Sequence, residues 1–237
     1  MDTPLLTRYQ SQALDVRAID DYGMSSLVLM ENAGRGTVDV LERLGIAGPV
    51  VILAGKGNNA GDGFVIARHL VIRGYESRVI LLGPADKLKG DAAANFAILK
   101  KCGVPIIDAN SKRARASSTP IELKHQLDQH ATGADWLLDA MLGTGASGEP
   151  RPPLGAAIDW MNAQPCKKLA IDVPSGLDCD TGEAAAHTVR ADHTCTFAAM
   201  KIGFTRGDAA RYTGTVHVCD IGMPLRLINE VLSADSP

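Results

Sequence analysis

The chain has 237 residues, 46% of them hydrophobic, and a formal net charge of −3, which allows one large α/β domain with a sizeable core and argues against nucleic-acid binding. No apolar stretch is long enough to cross a bilayer, and charged residues interrupt the N-terminus where a signal peptide needs an apolar core. The five cysteines include no C-x-x-C pair, which predicts reduced thiols and a cytoplasmic protein without membrane association.

The spacing of apolar residues predicts two N-terminal helices followed by alternating strands and helices. Helices are predicted at 7–21, from about 25, at 62–73, 87–101 and 120–129, from about 153, and at 224–232; strands are predicted at 50–54, 78–82, 104–107, 136–138, 169–171, 193–197 and 215–218. This alternation indicates an α/β fold class, a three-layer α/β/α Rossmann-like fold with a mostly parallel sheet. We expect one domain over 1–237, a mobile loop at 110–119 and a flexible tail after about residue 234.

A glycine-rich segment, GKGNNAGDG at 55–63, follows the first long strand and contains G-x-G-x-x-A. Its place between a strand and a helix favours a phosphate ligand. A conventional nicotinamide oxidoreductase would carry an acid after the second strand, where this chain has Leu82, Gly83 and Pro84. In the alternative structural interpretation, Asp62 only caps the helix and the asparagines only tolerate left-handed backbone. Gly34 and Gly36, in the second helix, are best explained by close packing.

Two further loops leave strands at the same edge of the predicted sheet. Asp139 ends the fourth strand in LLDAMLGTG, and Ser175 follows the fifth in AIDVPSG. Because the carboxyl ends of parallel strands share one edge, these residues and Asn59 could converge as oxygen donors. One carboxylate without His or Cys suits a weakly held hard cation better than zinc.

Asp172, at the tip of the fifth strand, is the candidate for proton transfer. A carboxylate partly shielded from water holds a proton more readily, which suits general acid or base catalysis. The alternative is that it only hydrogen-bonds loop amides. Lys201 could neutralise a phosphate or assist proton transfer, or be a solvated surface group, and Asp178 and Asp180 are predicted to hold a turn.

Six motifs in this order resemble the YjeF N-terminal family, the NAD(P)HX epimerases: LMENAGRG, GKGNNAGDGFVIARHL, DAMLGTG, IDVPSGLDCDTG, TF…K-x-G around Lys201, and IGMP. The resemblance implies interconversion of the R and S hydrates of NADH and NADPH, called NADHX and NADPHX, in which water has added across the nicotinamide 5,6 double bond. It also implies a separate NAD(P)HX dehydratase as functional partner and a possible homodimer. We expect the chain to be the epimerase unit alone.

The resemblance also implies a set of site residues. Potassium would be held by Asn59, Asp139 and Ser175. Our own mechanistic hypothesis makes Asp172 catalytic, with electrostatic assistance from Lys201: the C6–oxygen bond breaks, or the ring opens, and re-forms on the other face. The substrate would be bound by Asp172 and by two segments: Asn58, Asn59, Ala60, Gly61 and Asp62, then Gly143, Thr144, Gly145, Ala146, Ser147, Gly148 and Glu149. Two departures stand out. Ala60 replaces the usual glycine, so we expect a negative φ there. The loop after Gly145 reads ASGEP, whereas many members of the family carry a basic residue near Ser147, which weakens the expected phosphate contact at this position.

Two alternatives to an epimerase are considered. A non-catalytic nucleotide-binding or dimerisation module of the same fold would be expected to have eroded motifs, whereas Asn59, Asp139, Asp172 and Ser175 are all present. A nicotinamide oxidoreductase is disfavoured by the missing acid after the second strand and by the polar Asn58–Asn59 pair. The sequence therefore favours an isomerase that uses acid–base chemistry at C6 of the hydrated ring.

Overall fold

The computed structural model describes residues 4–109 and 120–234. The predictions for the loop at 110–119 and for the tail fall outside these residues. The strands are β1 (Leu5–Leu6), β2 (Val50–Ala54), β3 (Ser77–Leu81), β4 (Ile106–Asp108), β5 (Trp136–Ala140), β6 (Lys167–Ile171), β7 (His193–Phe197), β8 (Met200–Lys201) and β9 (Thr215–Cys219). The helices are α1 (Arg8–Asp20), α2 (Ser26–Leu44), α3 (Asn58–Ile72), α4 (Gly90–Lys101), α5 (Pro120–Ala131), α6 (Leu154–Asn162), α7 (Ala210–Thr213) and α8 (Leu225–Ser233), with 3-10 turns at Ala85–Lys87 and Ile202–Thr205.

Seven strands form a parallel sheet in the order β4-β3-β2-β5-β6-β7-β9. In register, Ile52 of β2 pairs with Val79 of β3 on one side and with Leu138 of β5 on the other. The chain builds outward from β2 to β4 and then returns to place β5 beside β2. This reversal leaves a crevice at the carboxyl ends of β2 and β5, the position where open α/β sheets bind ligands.

Helices cover both faces of this sheet, as predicted. Residues of α2, α3 and α4 share one apolar core with the sheet, and α5 and α6 share a second core on the other face. A third cluster joins α1, α2 and α8 beside the small parallel pair β1–β8. The predicted three-layer α/β/α fold is therefore confirmed. No helix in the described parts of the chain is both long and apolar enough to span a bilayer.

The glycines of α2 allow close packing between helices, as their sequence context indicated. A Cβ added at Gly34 would lie 2.4 Å from Cγ1 of Val65 on α3, whereas one at Gly36 would lie 3.4 Å from Cβ of Cys219. Contacts at 2.4 Å between carbon atoms are sterically forbidden. Gly34 therefore lets α2 approach α3.

The structure differs from the predicted elements mainly around the glycine-rich segment. Helix α3 begins at Asn58 instead of Asp62, and Gly57 occupies the N-cap position, so the interpretation of Asp62 as a helix cap is wrong. Ala60 therefore lies in helical backbone with negative φ, as expected; in the described chain, the non-glycine residues with positive φ are Asp172 and Ala198. The sequence also missed β1 and β8, because two-residue strands are too short to show a periodic pattern.

Candidate active site

A cavity of about 970 Å³ opens at the carboxyl edge of the sheet, where the direction of chain growth reverses. Its floor comes from the turn after β2, the first turn of α3, and the loops that follow β5 and β6. Helices α1 and α2 form the opposite wall, through side chains such as Leu14 and Met30. This volume lies within the range of small-molecule binding sites in proteins.

The turn after β2 is short because α3 starts so early. A Cβ on Gly55 would lie 2.2 Å from the carbonyl oxygen of Met141, so only glycine allows the loops after β2 and β5 to approach this closely. The backbone amides of Asn58 and Asn59 are the first of α3 and have no partner within the helix. Both residues and Lys56 line the cavity. Unpaired amides at a helix N-terminus, next to a lysine, form a suitable site for a phosphate.

Asn59, Asp139 and Ser175 come together beneath this turn, although they belong to three separate segments. The Asn59 side-chain amide donates to the carbonyl oxygen of Leu142 at 2.7 Å, and the Leu142 backbone amide donates to Oγ of Ser175 at 3.0 Å. The Ser175 hydroxyl in turn donates to Oδ1 of Asp139 at 2.7 Å. The convergence expected from the sequence is therefore present in the structure.

Oxygen atoms in this cluster are buried and incompletely satisfied. Asp139 is fully buried, and burial raises its pKa to about 6 even though the Ser175 hydroxyl and the Ser175 and Met141 amides donate to it. Oδ1 of Asn59 is buried and has no hydrogen-bond partner among the described residues. An unpaired buried acceptor costs roughly 1–3 kcal/mol. One carboxylate with amide, hydroxyl and carbonyl oxygens is a donor set that fits a hard, weakly bound cation.

Asp172 is held in a strained backbone conformation directly after β6. Its φ is 64°, and its amide donates to the carbonyl oxygen of Cys195 at 2.7 Å. Such a conformation costs a non-glycine residue on the order of 1–3 kcal/mol. Its carboxylate contacts Lys201 and Thr196, at 3.1 and 3.3 Å. Among the described residues no loop amide donates to this carboxylate, so the alternative interpretation of Asp172 as a loop-holding residue is not supported.

Lys201 is not a surface residue. Its side chain is only 3% exposed, and its ammonium group lies 3.1 Å from Asp172, 3.2 Å from the Phe197 carbonyl oxygen and 3.4 Å from that of Ala199. Three acceptors match the three N–H donors of an ammonium group. Lys201 therefore fixes the position of the Asp172 carboxylate, and its own N–H groups are already engaged.

The loop from Gly143 to Glu149 lines the cavity throughout its length. Glu149 does not reach inward: its two carboxylate oxygens accept the amides of Ala186 and His187, each at 3.0 Å. Arg8 of α1 holds the same loop by donating to the carbonyl oxygen of Ala146 at 2.8 Å. The loop is thus fixed at two points, with its central residues facing the cavity.

Arg8 also contacts the turn in which Asp178 and Asp180 lie. It donates to Asp178 at 2.8 Å, and its backbone amide donates to Asp180 at 2.7 Å. Oδ1 of Asp178 accepts the amides of Asp180 and Thr181. Asp178 therefore holds the turn, as predicted, whereas the carboxylate of Asp180 attaches the turn to Arg8 of α1.

The predicted substrate segment 58–62 divides into two groups. Asn58, Asn59 and Asp62 line the cavity, whereas Ala60 and Gly61 lie behind its wall. A Cβ on Gly61 would lie 2.7 Å from the sulfur of Met30. The amides of Ala60 and Gly61 donate to the Gly57 carbonyl oxygen, so these two residues shape the wall behind Asn58, Asn59 and Asp62; their contact with the ligand stays a prediction.

Several residues that the sequence did not indicate also line the cavity, among them Asp15, Asp91 and Arg151. Asp15 of α1 faces the cavity, and its enclosure there raises its pKa to about 6; the Asp172 carboxylate raises the value further and Lys201 lowers it. Helical spacing identifies the apolar face of α1 but does not show which polar residue faces a ligand site. No sequence signal could have found this residue.

Comparison with known proteins supports the fold and shows the family. A family model described as YjeF-related protein N-terminus matches residues 26–203. The NAD(P)H-hydrate epimerase of Pirellula staleyi is 44% identical over 225 residues, which cover 94% of this chain and 95% of that protein. The bifunctional NAD(P)H-hydrate repair enzyme Nnr of Salinibacter ruber is 39% identical, and the match covers 93% of this chain and 41% of that protein.

Among solved structures, the yeast protein ynu0 has the same fold, with a TM-score of 0.77 at 20% sequence identity; the match covers 96% of this chain and 93% of the yeast chain. The family match spans β2 through β8, and so includes Asn59, Asp139, Asp172, Ser175 and Lys201. This chain therefore belongs to the family of the YjeF-related protein N-terminus.

Proposed function

We propose that the protein is an NAD(P)H-hydrate epimerase, an isomerase that interconverts the R and S forms of NADHX and NADPHX. The observation that carries the proposal is the Asp172 carboxylate, held by buried Lys201 at the edge of a 970 Å³ cavity. A relative that is 44% identical over nearly its whole length has this name.

The arrangement of the cavity supports this activity. The free amides of α3 and Lys56 provide positive potential for the pyrophosphate, and the loop at 143–149 extends the binding surface. The hydrated ring would then lie beside Asp172, which moves a proton at the C6 hydroxyl. Anchored groups that hold a substrate in position lower the entropic part of the barrier.

Alternative functions have less support. Leu82, Gly83 and Pro84 follow β3 and line the cavity, so this position offers no carboxylate for a ribose, unlike in a conventional nicotinamide oxidoreductase. A non-catalytic binding module would have no need for a buried lysine that pairs with a strained aspartate. The cost of burying that charge favours an enzyme.

We also propose potassium as the cofactor, held by Asn59, Asp139 and Ser175 with the Leu142 carbonyl oxygen. The unpaired Oδ1 of Asn59 supports this proposal. When bound, the cation would neutralise Asp139 and fix the loops after β5 and β6 relative to α3. Potassium chloride should raise the Tm above that in choline chloride of equal concentration, and Ser175→Ala should reduce the difference. Equal Tm values in both salts would contradict the proposal.

The activity is tested with Asp172→Asn. Asparagine tolerates positive φ, so we expect the variant to fold and bind NADHX while its epimerisation rate falls by about 100-fold or more. Proton NMR of mixed NADHX epimers measures the rate, and isothermal titration measures binding. Asp208→Asn is the matched control, because Asp208 is an exposed residue paired with Arg211. Near-normal epimerisation by the Asp172 variant would refute the proposal.

Three further assignments rest on less direct support. A separate NAD(P)HX dehydratase is proposed as functional partner, since this chain matches 41% of a bifunctional repair enzyme. A homodimer through α1 is proposed because Tyr9, Val16 and Ile19 are exposed apolar residues of that helix. A cytoplasmic location is proposed because all five cysteines are free.

A further inference from the structure

The cavity contains a second carboxyl group whose surroundings are opposite to those of Asp172. Asp62 is 9% exposed and lines the cavity, yet no side chain or backbone amide of the described residues hydrogen-bonds or pairs with it. It lies on the second turn of α3, outside the cap position, where it makes no contribution to helix capping. Its oxygens are not among the fully buried atoms that lack a partner, so the carboxyl group reaches the cavity space; a polar group that is this enclosed and has no protein partner is costly. Its position therefore needs a functional explanation.

The charged groups that act on Asp62 are negative: Asp172 after β6, Asp15 of α1 and Asp91 of α4. Helix α2 presents only uncharged residues to the cavity, and two cations, Lys56 and Arg151, line it elsewhere. The buried cation Lys201 is engaged by Asp172. Burial raises the pKa of Asp62 well above its usual value, and the three neighbouring carboxylates raise it further. Asp62 therefore holds its proton to higher pH than an ordinary aspartate, whereas the carboxylate of Asp172 has the ammonium group of Lys201 as its partner at 3.1 Å.

When epimerisation proceeds by cleavage of the C6–O bond, exchange of the hydroxyl between the two faces of C6 uses two proton-transfer groups. One must protonate the oxygen that leaves, and the other must accept a proton from the water that adds on the opposite face. The same logic applies to inverting glycosidases, in which a protonated and an ionised carboxyl group flank the reacting carbon at roughly 6.5–9.5 Å. Here Asp62, on the second turn of α3, and Asp172, directly after β6, line the same cavity. Their two carboxyl groups interact electrostatically across it.

We propose that Asp62 is a catalytic residue that acts as the general acid, opposite Asp172 as the general base; this assignment rests on the proposed function. Asp62 gives its proton to the C6 hydroxyl, and the C6–O bond breaks with loss of water. The electron pair of the ring nitrogen forms a C=N bond to C6, which leaves a positive charge on the ring between two carboxylates. Water then adds to the other face, and its proton goes to Asp172. No oxidation or reduction occurs. After one turnover Asp62 has lost a proton and Asp172 has gained one. A turnover in the reverse direction, or proton exchange with water, restores the starting protonation of both groups.

The test is the pH dependence of kcat for NADHX epimerisation, followed by NMR. In the wild-type protein, kcat should decrease at alkaline pH as Asp62 loses its proton. Asp62→Asn should reduce kcat by about 100-fold or more with KM changed less than threefold, and should abolish the alkaline decrease. Asp62→Glu should restore part of kcat. Unchanged kcat in Asp62→Asn, or an effect on KM alone, would overturn the assignment.

A second variant keeps the test valid if Asp62→Asn does not fold. Asp15→Asn removes one carboxylate that faces Asp62 and should move the alkaline limb of kcat to lower pH, because the remaining proton is then held less tightly. An alkaline limb that is absent or does not move would overturn the assignment. Wild-type protein that fails to equilibrate the epimers would refute the proposed function as well. Active wild type with an equally active Asp62→Asn would refute only the role of Asp62.

Discussion

The contact between Lys201 and Asp172 can be tested as an energetic coupling. Lys201→Met removes the ammonium group while keeping an unbranched side chain of similar length. The Asp172 carboxylate would then retain only the Thr196 hydroxyl at 3.3 Å, and the carbonyl oxygens of Phe197 and Ala199 would lose a donor. The variant therefore isolates the effect of an unpaired charge at the cavity edge.

The size of the effect follows from burial. Removal of one partner from a buried ion pair costs about 3–5 kcal/mol. The Asp172 side chain is 15% exposed and faces the cavity, so water can solvate it in part, and we expect Lys201→Met to cost about 3 kcal/mol, near the lower limit. Asp172→Asn should cost less, because Lys201 keeps two carbonyl acceptors. In the double variant neither charge remains, so its cost should be below the sum of the two single costs by about 1.5 kcal/mol or more.

Urea unfolding monitored by the fluorescence of Trp136 and Trp160 provides the free energies for this double-mutant cycle. Both tryptophans are buried, so unfolding exposes them. Each variant must keep the wild-type m-value for the cycle to be interpretable. Additivity within about 0.5 kcal/mol would refute the reasoning, because it would mean that Lys201 and Asp172 do not interact in the folded state. A Lys201→Met variant as stable as the wild type would also refute the reasoning.

Two further predictions concern stability. Gly34→Ala should lower the free energy of unfolding by about 2 kcal/mol, since the new Cβ would lie 2.4 Å from Val65 Cγ1; Gly36→Ala, with its nearest contact at 3.4 Å, is the matched control in urea unfolding and should cost less. Asp62→Asn should raise the Tm at pH 8 but not at pH 4. Because the pKa of Asp62 in the folded protein is raised above the ordinary 3.8, the folded state binds more protons than the unfolded state once the pH exceeds that value, and stability falls as pH rises. Equal Tm changes at both pH values would show that the raised pKa of Asp62 does not lower the stability of the folded protein at high pH.

The sequence predicted those parts of the fold that depend on local apolar pattern. Val50–Ala54 and His193–Phe197 are strands with the predicted bounds, because a run of buried β-forming residues between turn residues has one stable arrangement in a parallel sheet. The start of α3 was predicted four residues late. Asn and Gly have low helix propensity, so Asn58–Gly61 was interpreted as a turn. Packing of Gly61 against Met30, which no local pattern reveals, outweighs that propensity.

The sequence predicted which loops form the site, but it did not predict the burial and the charged contacts of the side chains in it. Asn59, Asp139 and Ser175 were expected together because parallel strands share one carboxyl edge, and that rule is topological. The burial of Lys201 depends on the short strand β8, which pairs Lys201 with Leu6 of β1, about two hundred residues earlier. The contribution of Asp15 depends on how α1 packs over the cavity. Contacts of this kind between distant segments are set by tertiary packing and cannot be derived from spacing.

The location of the costly features in this molecule supports the functional assignment independently of the motifs. The unpaired Asn59 oxygen, the left-handed Asp172, the buried Lys201 and the unpartnered Asp62 all lie at one edge of one sheet. Each is destabilising by itself. The apolar clusters on the two faces of the sheet supply the stability that tolerates them. Buried oxygens without a partner also occur away from the cavity, on Ser77 and Gln126. The ionisable members of this set, Asp62, Asp172 and Lys201, all line the one cavity, which indicates that binding and proton transfer at this edge maintain them.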